Sequence, residues 1–345
     1  VAIGRNALSS LNTGNNAYHV AIGYEAGKVI NTGLRGVFIG AHVADALTTG
    51  NDNTIIGYIA GGSTDFNAGT ANTFVGSNAG NYATNTNSNV YVGYRAAGTN
   101  KQGGYIVKIG DQAGYSPVGN QYSGSHNVFM GYAAGYNTGA DKNVMIGSSA
   151  GQYTTGSYNT FVGQAAGKGG TTSAPYSSGG SNTAMGYQAL AGFTTGYQNI
   201  AVGYQAGLAI TTGQRNIAIG TQALQQNTTS HGNIAIGYRT LYNAVNASSY
   251  QIAIGDGALY NHSGSADDYA VALGFEAGYN SQTDIGAVMI GYRAGYRSSG
   301  FSGVYIGSQA GLKSKGSGIY IGRNAGQGAE NYSGGNIAIG YLSGT

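Results

Sequence analysis

One short phrase returns along the whole chain: a β-branched residue, a variable residue, an aliphatic residue, then glycine. Its glycines are Gly4, Gly23, Gly40, Gly57, Gly76, Gly93, Gly110, Gly131, Gly147, Gly163, Gly186, Gly203, Gly220, Gly237, Gly255, Gly274, Gly291, Gly307, Gly322 and Gly340. The spacing is most often seventeen residues, with extremes of fifteen and twenty-three, and no stretch between anchors reads as anything else. Self-similarity at a fixed short period is the mark of a stacked-coil architecture, in which each copy is one turn. That pattern overrides the two or three globular domains that 345 residues would otherwise suggest.

The phrase itself reads as a strand. The residue three before the glycine is always Val, Ile or Thr, the residue before it is always aliphatic, and the one between ranges over Ala218, Phe38, Tyr91 and Lys108. Two fixed apolar positions around a position that accepts lysine is period-two alternation, so we expect the pair to face inward. Three residues past the glycine, seventeen of the twenty copies carry Ala, which marks a tight interior corner. The anchor glycine is expected to supply a left-handed backbone or a close chain approach where the strand ends. In the most regular stretch these rules assign Ile219, Ile236, Ile254, Ala206 and Ala223 to the core and Gly203, Gly220 and Gly237 to the corner. Asn precedes the strand in eleven copies, Asn53, Asn127 and Asn216 among them. Its ordinary role there is turn chemistry, and stacked copies could ladder their amides.

We therefore expect an all-β fold, a parallel β-solenoid (β-roll) of about 20 turns spanning residues 1–345 as one elongated domain. At the usual inter-strand distance of ~4.8 Å such a stack would be about 95 Å long. A chain that opens in mid-phrase at Val1 and stops soon after Gly340 is expected to be a fragment of a longer one. So thin a coil buries little apolar area per ordered residue, which predicts that three chains share one axis as a homotrimeric fibre. A single-chain solenoid is the alternative.

Composition removes many functions. With no Cys there are no disulfides, thiolate metal sites or cysteine nucleophiles. Only 8% of residues are charged and the net charge is +3, too little for a nucleic-acid groove. No apolar run is long enough to span a membrane. His19, His42, His126, His231 and His262 fall at unrelated places in their copies, so we expect them to face solvent rather than form a metal site or a triad. Nothing singles out paired carboxylates, and we expect neither a cofactor nor an enzyme. The prolines Pro117 and Pro175 sit inside the two largest insertions, Asp111 to His126 and Lys168 to Ser181, where no ladder donor is needed.

Tyrosine is the suggestive residue, at 29 copies. It often follows the anchor glycine, as at Tyr187, Tyr204, Tyr238 and Tyr292, and recurs in loops at Tyr115, Tyr122, Tyr176 and Tyr260. Rings stacked along the coil would cover its edge, and the loop set is the candidate surface for stacking on glycans.

The strand phrase at Ile217–Gly220, Ile234–Gly237 and Ile252–Gly255 resembles the repetitive shafts of phage tail-fibre proteins and of bacterial surface fibres that end in a chaperone domain. It is also similar to the head repeats of trimeric autotransporter adhesins, which are left-handed parallel β-rolls. The resemblance implies a trimer at the virion tail or bacterial cell surface that serves attachment, and it carries over no binding residues. Two further readings stand beside that shaft: a glycan-binding module acting through its loops and tyrosines, and a self-assembling extracellular filament.

Overall fold

A computed structural model describes the chain apart from residues 13–16, 63–67, 85, 99–102, 117–123, 174–175, 244–248, 263–268, 283–285, 300–301, 329–334 and 345. Its fold is an all-β parallel β-solenoid with one short strand per turn, and the described residues contain twenty strands and no helix. Two compact units divide it, Val1–Lys168 with Thr172–Ser178 and Gly169–Thr171 with Gly179–Thr345, each holding ten strands. Inside each unit consecutive turns pair in strict register: Ile200, Ala201 and Val202 lie on Ile217, Ala218 and Ile219, and these on Ile234, Ala235 and Ile236. Pro117 and Pro175 lie outside the described residues.

Hydrogen bonding runs both ways from every regular turn. Ile217 N donates to Asn233 O of the following turn (2.8 Å), and Gly220 N donates to Val202 O of the preceding one (2.8 Å). The pattern continues past the strand, where Gln222 N reaches back to Tyr204 O (2.8 Å) and Leu224 N reaches forward to Thr240 O (3.0 Å). That alternation requires left-handed backbone at every second residue, and Gln222 (φ 59°) and Leu224 (φ 51°) adopt it.

The anchor glycines meet both expectations at once. Their φ values lie between 126° and 136°, a region open essentially to glycine, and a Cβ at Gly203 would lie 2.6 Å from the carbonyl oxygen of Gly220 one turn on. Each anchor is thus both a backbone hinge and a close contact between neighbouring coils.

The phase of the strand is the reverse of the sequence expectation. The variable central residue points inward: Ala218, Phe38, Tyr91 and Met145 are fully buried. The constant pair points outward, so Ile219 and Ile254 are 37% and 40% exposed and Ile236 is partly exposed in the single chain. The alternation is as expected and its sense is inverted, because constancy of a position does not require burial in its own coil. Ala206 and Ala223 do lie in the core at 0% exposure.

Interior residues vary because several positions share one small volume per turn. Where the strand centre is large, the fourth residue after the anchor is Gly, or Ala as at Ala44 and Ala97 opposite Phe38 and Tyr91: a Cβ at Gly80 would come within 2.8 Å of the Phe74 ring, and one at Gly135 within 2.8 Å of Phe129. Where the centre is Ala, that fourth residue is often Leu, as in the pairs Ala218/Leu224, Ala235/Leu241 and Ala253/Leu259, all fully buried. A left-handed Leu costs roughly 1–2 kcal/mol of backbone strain. Burying its side chain returns about 1.5–3 kcal/mol, so filling the space wins. Ala218→Phe alone is therefore expected to destabilise by about 1–3 kcal/mol through overpacking. Adding Leu224→Gly should recover most of that loss, and a double-mutant cycle in denaturant would read the coupling. Additive effects would mean that the two positions do not share a volume.

Candidate functional site

Outward from the core, the constant pair forms two aliphatic columns that run through each unit. In the second unit Met185, Ile200, Ile219, Ile254, Ile290 and Ile319 are each 37–45% exposed, and in the first Ile22, Met130 and Ile146 are 36–37% exposed. Aromatic columns flank them. On the glycine side stand Tyr24, Tyr58, Tyr94, Tyr132, Tyr187, Tyr204, Tyr238 and Tyr292, and on the other side Tyr18, Tyr105, Tyr158, Tyr250 and Tyr269, all exposed. The exposed large apolar side chains of the described residues fall almost entirely on these four columns. A band of this kind far exceeds the isolated apolar residues usual on a soluble surface.

Around the corner, the fifth or sixth residue after the glycine builds a second aromatic edge. Tyr242, Tyr260, Tyr279 and Tyr296 stack in consecutive turns with ring centroids 5.1, 4.8 and 5.5 Å apart. Beside them the amides of Asn243, Asn261 and Asn280 form a ladder, with Asn261 Nδ2 donating to Asn280 Oδ1 at 2.7 Å. In the first unit Tyr115 packs on Tyr136 at 5.4 Å and Tyr153 on Tyr176 at 6.1 Å. Burial, and then the neighbouring phenols, push the hydroxyls of Tyr136 and Tyr279 above the ordinary tyrosine range.

This edge locates three of the four candidate glycan residues, since Tyr115, Tyr176 and Tyr260 all belong to ring stacks. Tyr122 lies outside the described residues. Both faces of Tyr260 are covered by Tyr242 and Tyr279, which leaves its edge and hydroxyl for any ligand.

The interior holds polar groups that sequence reasoning placed elsewhere. All the asparagines before the strand except Asn336 are buried, and where they fall in consecutive turns they form an amide ladder: Asn199 Oδ1 accepts from Asn216 N (3.0 Å), and Asn216 Nδ2 donates to Ser230 O (2.8 Å). His19 occupies the same position in its turn. Its Nδ1 accepts from Gly36 N (2.9 Å) and its Nε2 faces Gly33 O (2.7 Å), so a neutral imidazole protonated on Nε2 reproduces an amide. Burial holds its pKa below the usual histidine value. His262 is also fully buried, bonded to Ser281 Oγ at 2.8 Å. The expectation of solvent-facing histidines therefore fails at these two positions.

Lys108 is the sharpest departure. The residue that argued for an exposed strand centre is 2% exposed, with Nζ donating to Gly114 O (3.2 Å) between the rings of Tyr91 (5.7 Å) and Phe129 (5.6 Å). Loss of hydration pushes its pKa down from 10.5 to about 7.

Among the described residues no group of three or more His, Cys, Asp or Glu could hold a metal ion, and no helix is long and apolar enough to cross a membrane. Geometry defines the chain as a parallel β-solenoid, and each of its two units has an apolar face and a tyrosine edge. In comparison with known proteins, it matches no family model and no curated protein.

Proposed function

We propose that this chain is the shaft of an extracellular homotrimeric fibre, viral or bacterial, that holds a more distal attachment surface away from its base. The observation that carries this reading is the in-register aliphatic double column with aromatic margins. Covering it along its length requires a partner whose contacts repeat at the same axial interval of ~4.8 Å. A second copy of the same chain has that repeat, and a globular partner does not.

Threefold closure suits the four columns better than a face-to-face pair. Around one axis the aliphatic columns of three chains converge, while the two aromatic margins of each chain turn toward two different neighbours. Tyrosine fits such a margin, because its ring covers apolar surface while its hydroxyl stays wet. The low charge and wholly repetitive surface agree with a structural rather than a catalytic role.

Native mass tests the reading directly, with three chain masses expected from sedimentation equilibrium. Ile219→Asp combined with Ile236→Asp should reduce the particle to a single chain that keeps its β circular-dichroism signal, since both side chains are already partly exposed in the isolated coil. A single-chain mass for the unaltered protein would end the trimer reading.

A further inference from the structure

One turn in the second unit breaks the pattern of its neighbours at two adjacent positions. After anchor Gly255 comes Asp256, where Gly237, Gly274 and Gly291 are followed by Tyr238, Phe275 and Tyr292. Next comes Gly257, where the neighbouring turns carry Gln222, Arg239, Glu276 and Arg293. The twenty copies place glycine at this second position nowhere else. An aromatic ring and a long side chain are therefore missing from one place, and a cleft of about 210 Å³ opens there.

Its walls are chemically mixed. Phe275 stacks on Tyr292 with one face (5.7 Å, 8° between planes) and turns the other along the column toward Tyr238, two turns away. A ring seated midway would lie about 4.8 Å from each, an ordinary stacking distance. The Arg239 guanidinium sits 5.1 Å from the centre of the Tyr238 ring, and Asp256, whose Oδ1 accepts from Tyr238 N at 3.0 Å, stands at the mouth. Glu276 is tied to Arg293 Nε at 2.6 Å, and Arg239 Nε donates to Gln222 Oε1 at 2.8 Å, so the cleft offers the terminal amino groups of Arg239 and the carboxylate of Asp256 and is close to neutral.

We propose that this notch binds a single uncharged pyranose unit of a surface polysaccharide. The sugar's C–H face would lie against Phe275, with Asp256 accepting from and Arg239 donating to its hydroxyls. Balanced charge disfavours sialic acids and amino sugars. The site goes beyond the shaft reading, and every wall belongs to one chain; because Tyr238 and Phe275 stand on the glycine-side margin, the proposal requires that a neighbouring chain leave that margin uncovered at this one turn.

Titration calorimetry of the intact protein with neutral oligosaccharides of glucose, mannose, galactose and N-acetylglucosamine is the test. At least one series should give saturable binding that Gly257→Gln weakens tenfold or more. The fold should survive that change, because Gln222 holds the same position with φ 59° against 66° at Gly257, and the Cβ, 3.3 Å from the Tyr279 ring, needs that ring to shift by only a few tenths of an ångström. Asp256→Tyr, which refills the aromatic slot, should act in the same way. Failure of all four series to bind, or binding that persists in both variants, would overturn the assignment, and neither outcome bears on the native mass.

Discussion

Replacing Lys108 by Met should stabilise the first unit most strongly near pH 7, and the advantage should shrink as the pH rises. In the folded chain the amine lies between Tyr91 and Phe129 with one carbonyl as its hydrogen-bond partner, and its pKa falls from 10.5 to about 7. Between those values the unfolded chain holds a proton that the folded chain has released, so stability increases with pH across the window and flattens below it. Each pH unit is worth about 1.4 kcal/mol, which brings the full span to on the order of 5 kcal/mol. Urea unfolding of both proteins between pH 7 and pH 9.5, below the ordinary tyrosine range, would show the two stability curves converging. A constant offset would mean that the ammonium keeps its proton inside, held by the two rings and the Gly114 carbonyl.

Lys108 also shows what the sequence conceals. Period and strand are legible because backbone geometry demands the anchor glycine in each turn and strongly favours a small corner residue, Ala in seventeen of twenty copies. Which face of the strand points inward is not legible from constancy. A side chain that shares its cavity with others is free to vary, as Ala218 and Leu224 do against Phe74 and Gly80. A column that must meet copies of itself turn after turn is not free to vary, and an outward pair such as Ile217 and Ile219 therefore looks like a core. The signal that would have given the phase was present in the pairing of large strand centres with glycine four residues beyond the anchor. A pattern across two positions is invisible when each position is read alone.

The asparagine ladder is legible only as a possibility beside turn chemistry, and the notch beside Gly257 is not legible at all, for related reasons. An Asn before a strand satisfies turn chemistry in any single copy. Only stacking brings Asn199 Oδ1 to Asn216 N and makes the amide structural. The notch consists of two ordinary residues, and it becomes a feature only against the Tyr, Gln, Arg and Glu that occupy the same places in neighbouring turns. Both belong to the stack, whereas the anchor and the corner belong to the individual turn.

Gly203→Ala, like a substitution at any other anchor glycine that meets the next turn's carbonyl, should be among the most damaging in the second unit, at about 3–5 kcal/mol. Two costs fall on the same methyl group. Its φ of 133° is a conformation that side-chain-bearing residues pay about 1–3 kcal/mol to hold. The added Cβ would also sit 2.6 Å from the Gly220 carbonyl oxygen, which is backbone and has no rotamer to move to. Relief requires the two turns to separate, and that strains the bond from Gly220 N to Val202 O, now 2.8 Å, together with the strand pairing on either side. Gly340→Ala is the matched control, because its φ of 126° is alike while the nearest atom to a Cβ there is Ser343 Cβ at 4.0 Å, so it should carry only the backbone cost of about 1–3 kcal/mol. Chemical denaturation gives both values, and hydrogen exchange should place the lost protection at the turns of Gly203 and Gly220. Equal effects for the two variants would mean that the anchor column is set by backbone flexibility alone. The contact between glycines of successive turns would then play no part in holding the coil at its pitch.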